Sequence, residues 1–399
     1  MEPHSLRFKQ SLIIAATIAT LLKLYLALKT YGSADVLGYE DYLIKIRTLG
    51  GIGSYYAGGA YGNPFNVPPL NIPVIRAMGW MADVTGLPFR FWLRLPCIVA
   101  DLGSLALVWK LLELSGLKSK AALILLALCP ASIMISGFHG NSDPVMIFFV
   151  LLSIYLLEKR QAVWLAGIAF GAAMSIKVVP LIFTPAFIFF LPTMRERARF
   201  VIVVGGLFLI GALPYILQNP VIIIQKVFGY GSFYGVWGWT RLLNLLLISP
   251  GDPSADSSHP SGWHAVLNTA GKIMMLAGIS YASFVMSRKK PKVSLFIQCG
   301  VAAFLFMLLT PGFGVQYLSW PLPFVVCLGV WPTLIFYTTS GIYLFIDYYC
   351  WANRSIQPAY CYSVIPHYAS FACWFSVIIV LMVYRRRVKH PDQAQSDFV

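Results

Sequence analysis

The chain has 399 residues, 58% of them hydrophobic and 11% charged, with 30 Lys and Arg against 15 Asp and Glu, a net charge of +15. Soluble domains carry about 25% charged residues, so an ordinary globular protein is excluded and a membrane protein is implied. Nucleic acid is not the expected partner of the basic excess. The charges sit in short spacers between apolar runs: Lys118 and Lys120, Lys159 and Arg160, Arg195 to Arg199, Arg288 to Lys292, and Arg385 to Lys389. That is the pattern of cytoplasmic loops lying beside anionic headgroups.

Apolar runs recur near 10–30, 92–112, 119–136, 143–157, 162–176, 178–192, 199–218, 264–286, 293–310, 317–331, 333–350 and 366–384. Runs of about 20 residues cross a bilayer as helices. The expectation is therefore an all-α polytopic membrane protein with about 12 transmembrane helices and a single membrane domain, 1–399. With the basic spacers in the cytoplasm, both termini are cytoplasmic. The first run contains Lys23 and is not followed by a small-residue cleavage pattern, so it reads as a span and not as a cleaved signal peptide. The fifth and sixth runs are short and joined at Lys177-Val178-Val179-Pro180. A single re-entrant hairpin is the alternative there.

The opposite, extracytoplasmic or luminal side receives two long loops, 31–91 and 219–263. The first opens with "GSADVLGYEDY", which places Asp35, Glu40 and Asp41 within seven positions. A Gly/Tyr-rich stretch follows, then "LNIPVIRAMGWMADV", which is too short to span and reads as an interfacial helix with Trp80 at headgroup level. The second loop carries "FGYGSFYGVWGWTRLLNLL" and then "SPGDPSADSSHPSG".

Polar groups near membrane depth are costly and carry a functional expectation. Four clusters share the loop side: Asp35 with Glu40 and Asp41; His139, Asn141 and Asp143 in "FHGNSDP"; Lys177 in "SIKVVP"; and Gln316, Tyr317 and Trp320 in "TPGFGVQYLSWPLP". A carboxylate at a water-facing rim suits a general base for a hydroxyl. A Lys suits a phosphate, and aromatic faces suit sugar rings or headgroups. Base, phosphate grip and sugar platform together imply transfer of a sugar from a lipid phosphate.

The order and common side of "SADVLGYEDYL", "YGNPFNVPPLNIPV", "RLPCIVADLG", "FHGNSDPV", "KVVPLIFTP" and "QYLSWPLPF" resemble the GT-C superfamily of integral membrane glycosyltransferases. The likeness is to its polyprenyl-phosphate-sugar-dependent members, such as the GPI and dolichol-pathway mannosyltransferases and their bacterial relatives. The resemblance implies a GT-C-like bundle with interfacial helices in the first outer loop, a polyprenyl-phosphate-linked sugar donor, most simply mannose, and a lipid-linked or glycan acceptor. It also implies inverting transfer with Asp35 as base, on the outer face. Tyr39, Asp41, His139, Asn141, Asp143, Lys177, Gln316, Tyr317, Trp320 and Arg241 are then expected substrate contacts, Lys177 facing the phosphate and Arg241 standing next for that role. The chain has no DxD after the first span, a motif that some members carry and that hints at metal, and no match to the HEK-type motif of the glucosyltransferase branch. No metal or other cofactor is therefore expected. Membrane lipids are expected partners and nucleic acid is not.

Other readings stay open. Asp35 alternatively caps or solvates the end of the first span, with Asp41 its rival as base. His139 alternatively is a satisfied buried histidine, and Asp143, before Pro144, alternatively caps a helix. Arg94 and Asp101, two turns apart on one helix face, are expected to form a structural ion network. The Trp and Tyr residues of 230–239 fit an aromatic belt or a substrate contact. Cys350 and Cys361, about ten residues apart at the ends of the last outer loop, either bridge or stay as thiols. A polytopic lipid or solute transporter is the alternative function.

Overall fold

A computed structural model describes residues 3–49, 55–56, 66–114, 120–229, 232–247, 260–352 and 365–389. In chain order the helices are α1 (Pro3–Lys29), α2 (Ala34–Thr48), α3 (Asn71–Thr85), α4 (Phe89–Leu114), α5 (Lys120–Ala127) and α6 (Pro130–Met134), the last continuing into a π-helical turn, Ile135–His139. Then come α7 (Asp143–Arg160), α8 (Val163–Ile176), a 3-10 turn (Val179–Phe183), α9 (Thr184–Phe190), α10 (Met194–Ile216) and α11 (Pro220–Ile223), which runs into a second π-helical turn, Ile224–Phe228. After β1 (Phe233–Tyr234) follow α12 (Gly238–Leu247), α13 (Gly262–Ser287), α14 (Leu295–Leu309) and β2 (Gly312–Phe313). A 3-10 turn (Val315–Ser319), α15 (Leu322–Val325), another 3-10 turn (Val326–Leu328), α16 (Val330–Ala352) and α17 (Ile365–Lys389) are the last of the described elements.

Among the described residues the protein is all-α apart from the two-residue antiparallel pair β1–β2, in register Phe233↔Phe313. Six helices among the described residues are long and apolar enough to cross a membrane: Leu6–Lys29, Phe89–Leu114, Lys120–His139, Met194–Ile216, Gly262–Ser287 and Tyr368–Lys389. The remaining expected runs are helical but fall outside that set. Residues 178–192 form a 3-10 turn and a seven-residue helix. Residues 317–331 break into short turns around Pro321 and Pro323, each proline removing a helical N–H. Helix α7 carries Asp143, Glu158, Lys159 and Arg160.

The chain divides into two compact units interleaved in sequence. The first comprises Met1–Leu114, Leu126–Leu181 and Pro192–Tyr230. Within it α8 packs on α7 and α10, and α4 packs on α1 and α7. Small residues of α8, Ala166, Gly167, Ala169, Gly171 and Ala173, are buried. They allow the close helix approach that replaces hydrophobic driving force in lipid. Over this bundle the first long loop makes its own apolar cluster, with Val36, Tyr39, Tyr42, Leu43 and Ile46 of α2, Ile72 and Ile75 of α3, and Ile223 and Val227. Helix α3, 15 residues long, buries Ile72, Ile75 and Gly79 on one face. It leaves Trp80 and Val84 60% and 63% exposed.

The second unit comprises Ser115–Leu125, Ile182–Leu191 and Gly231–Val399. Here the aromatic stretch of the second loop has a structural task. A helix leaves its last four carbonyls without intrahelical donors, and all four at the end of α14 are satisfied. Phe306 O accepts from Thr310 N at 2.8 Å. Met307 O, Leu308 O and Leu309 O accept from the indole Nε1 of Trp237 at 2.8 Å, Trp374 at 3.2 Å and Trp239 at 2.9 Å. Trp237 also stacks on Phe313, with centroids 4.2 Å apart. Cys350 is disulfide-bonded, while Cys361 lies outside the described residues. Cys97, Cys129, Cys299, Cys327 and Cys373 are buried thiols outside any disulfide.

Trp237→Phe keeps the stacked ring and removes the donor. The buried Met307 carbonyl is then left without that bond, at a cost of about 1–3 kcal/mol. Thermal unfolding of the detergent-solubilised protein should show a lower Tm, and an unchanged Tm would refute the capping role.

Candidate active site

The candidate site forms where α1 ends and α2 begins. Arg94 of α4 is fully buried and is aimed at the end of α1. Its Nη1 donates to the carbonyls of Ala27 at 3.2 Å and Thr30 at 3.1 Å, and its Nη2 donates to that of Tyr31. These are orphan carbonyls at a helix C-terminus, where a cation is also favoured by the helix dipole. Gly32 makes the turn at φ +107, and a Cβ there would meet Arg94 Nη2 at 1.8 Å and Phe138 O at 2.6 Å. No other residue fits this position without displacing the anchor.

Ser33 then caps α2. Its Oγ accepts from Asp35 N at 3.2 Å and donates to His139 O at 2.7 Å. Asp35 stands in the first turn of α2, where the helix dipole favours negative charge. Two partners converge on its Oδ2: His139 Nε2 at 3.2 Å and Asn141 Nδ2 at 2.6 Å. His139 and Asn141 are 1% and 6% exposed, whereas the Asp35 side chain keeps 27% of its surface. Burial pushes the Asp35 carboxyl up. His139, Lys177 and Asn141 outweigh it and hold the pKa below the ordinary carboxylate value. The group is therefore ionised at neutral pH, with one oxygen gripped and part of the side chain open. Tyr39, four residues on and on the same face of α2, is buried, and its hydroxyl pKa is raised by burial and by the Asp35 charge.

The other acids of the cluster turn elsewhere. Glu40 accepts from the Tyr31 hydroxyl. Asp41 pairs with Lys45 of its own helix at 3.1 Å. Between these two candidate bases, the geometry separates Asp35, which faces buried partners on another element, from Asp41, which does not.

Asp143 does not cap α7. The N-cap is Ser142, and Asp143, fully buried in the first turn, receives Lys177 Nζ at 2.5 Å. Lys177 is the extended residue that ends α8. Asn71 fixes that end, its Nδ2 donating to Ile176 O at 3.1 Å, Ser175 O at 3.3 Å and Pro68 O at 2.9 Å. The sequence flagged the segment holding Asn71 but not the residue. A side-chain amide just after a Pro-Pro pair at a helix start is the signal that was there to be read.

One expected pairing is corrected. Arg94 and Asp101 do not form an ion network with each other. Arg94 goes to the α1 carbonyls, while Asp101 pairs with Lys23 at 2.6 Å.

Arg241, Gln316, Tyr317 and Trp320 belong to the second unit. Tyr317 and Trp320 are 6% and 1% exposed and stack on each other at 4.2 Å. Trp320 also lies against Phe306 and Tyr317 against Phe313. Arg241 Nη1 donates to Gly235 O at 3.4 Å. Among the described residues no three His, Cys, Asp or Glu side chains group as metal ligands.

Breaking the Lys177–Asp143 pair on one side leaves a buried charge uncompensated. Lys177→Ala should therefore cost about 3–5 kcal/mol of stability, and Lys177→Met with Asp143→Leu should recover most of it. Thermal melts of the three proteins check this. A single variant as stable as the parent would show that the pair is not buried together.

Residues 135–248 match the family model described as mannosyltransferase (PIG-M). That stretch holds His139, Asn141, Asp143, Lys177 and Arg241, and Asp35 precedes it. No curated protein matched the chain. The match is to part of the chain, and the class of protein it supports is a glycosyltransferase of mannosyl type in a helical membrane protein.

Proposed function

We propose that the protein transfers a sugar, mannose in the first instance, from a polyprenyl-phosphate donor to a hydroxyl of a lipid-linked or glycan acceptor. Transfer takes place on the extracytoplasmic or luminal face, with both termini in the cytoplasm. The observation that carries the reading is the Asp35 carboxylate. It is ionised, partly open, and held at one oxygen by His139 and Asn141, in a chain whose residues 135–248 match a mannosyltransferase family model.

Asp35 takes the proton of the acceptor hydroxyl as that oxygen attacks the anomeric carbon. The new C–O bond forms on the face opposite the breaking bond to phosphate, and polyprenyl phosphate leaves with the electron pair. A single base and direct attack need no covalent sugar–enzyme intermediate, so the transfer inverts. His139 and Asn141 orient the carboxylate. Lys177 has three ammonium donors and spends one on Asp143. The others are available to the donor phosphate, which Lys binds as a point charge. Tyr39, on the Asp35 face of α2, lines the acceptor approach.

The reading includes metal independence. The carboxylates nearest the reaction are already engaged, Asp35 by His139 and Asn141 and Asp143 by Lys177.

Asp35→Asn keeps size and removes basicity, so turnover should fall by about a hundredfold or more, with donor KM little changed. Activity should persist in EDTA. Full activity in Asp35→Asn together with loss in Asp41→Asn would move the base to Asp41. Loss on chelation, restored by magnesium or manganese, would overturn the metal-independent reading.

A further inference from the structure

Beneath the candidate site lies a second polar group that the proposed reaction does not use. Lys23 of α1 and Asp101 of α4 form an ion pair of 2.6 Å, their side chains 6% and 20% exposed. Both belong to candidate membrane spans, where ionisable residues are costly unless fully engaged. Here the engagement extends to a third element. Lys23 Nζ also donates to Ser132 Oγ at 2.8 Å. Asp101 Oδ2 accepts from Ser132 Oγ at 2.8 Å and from Ser136 Oγ at 2.6 Å.

Ser136 is fully buried and stands in the π-helical turn Ile135–His139, three residues before His139. The same turn lies directly on α1. A Cβ at Gly137 would come within 2.9 Å of Lys23 Cα and 3.2 Å of Lys23 O. π-helical turns are rare and concentrate at functional positions. An ion pair that only joined α1 to α4 would need neither serine. Both serines stand on the segment that delivers His139.

We infer that Asp101 is a positioning residue: held by Lys23, it locks the π-helical turn through Ser136 and so fixes His139 Nε2 against Asp35 Oδ2. The inference rests on the role proposed for Asp35. The groups facing Asp35 are His139 and Asn141 at and just beyond the turn, Lys177 from the end of α8, and Tyr39 from its own helix. His139 is the one carried by the turn itself.

Ser136→Ala removes the bond from Asp101 to the π-helical turn itself and leaves Lys23, Asp101 and Ser132 in place. The test uses the full chain in lipid vesicles, with synthetic polyprenyl-phosphate mannose as donor and a membrane lipid extract as acceptor. The kcat should fall roughly ten- to a hundredfold, the scale of a small misplacement, with donor KM nearly constant. The acid limb of the pH profile should move upward. The sign follows from Asp35 acting as a base. Its partners hold its pKa down, so activity is present above that pKa. Loosening His139 raises the pKa, and activity is then lost at a higher pH. In a His139→Ala background, Ser136→Ala should add nothing.

A wild-type kcat and pH profile in Ser136→Ala would overturn the inference. An equal loss with and without His139 would also overturn it, because the serine would then act on the fold at large. Full activity of Asp35→Asn would instead refute the proposed base. In that case titration of the Asp35 carboxyl by carbon NMR still decides positioning: an upward shift in Ser136→Ala supports it and no shift refutes it. If Ser136→Ala does not fold, Ser136→Cys, which keeps the volume and weakens the donor, is judged by the same criteria.

Discussion

The buried guanidinium of Arg94 is the constraint on which the candidate site depends. It gathers the carbonyls of Ala27, Thr30 and Tyr31 at the end of α1, which would otherwise be orphaned beside apolar side chains. Because those groups are satisfied, the chain can leave α1, turn at Gly32 and start α2 within a few residues. Ser33 then ties the new helix to the His139 carbonyl, and Asp35 falls opposite His139 and Asn141. Remove the anchor and the carboxylate has no fixed relation to its partners.

The second unit meets the same need with a different donor. Three tryptophan indoles close the carbonyl end of α14, as Arg94 closes that of α1. Both devices follow from one rule of apolar surroundings: backbone carbonyls left by a helix must find donors within the protein. Arginine serves where a helix dipole and several carbonyls converge. Tryptophan serves where an apolar ring must also fill space. Trp237 and Trp239 of the second loop thus act through their indole N–H groups, which composition alone does not distinguish from a membrane belt.

Much of the architecture was legible because it is compositional. Apolar runs and basic spacers predict an all-helical membrane chain, and every expected run falls on helical segments. The interruptions were legible only in part: Pro180, Pro321 and Pro323 are visible breakers, but the π-helical turn that aims His139 leaves no periodic signature. The grouping of Asp35 with His139 and Asn141 rested on a common side of the membrane, and the structure brings these three together. The pairing of Arg94 with Asp101 was misread because helical spacing puts two residues on one face without saying what the neighbouring helix offers. Lys23, noted only as an argument against a cleaved signal peptide, turns out to be the partner of Asp101. Asp143 was ambiguous between cap and ligand until Lys177 was seen against it.

The central claim is that this chain makes a glycosidic bond with sugar from a polyprenyl phosphate. The most direct measurement gives the purified protein, reconstituted in vesicles, radiolabelled polyprenyl-phosphate mannose together with a membrane lipid extract, and separates the products. The account predicts a new mannosylated product and released polyprenyl phosphate in equal amounts. Movement of the labelled lipid between leaflets with no new glycosidic bond would contradict it and make the protein a transporter.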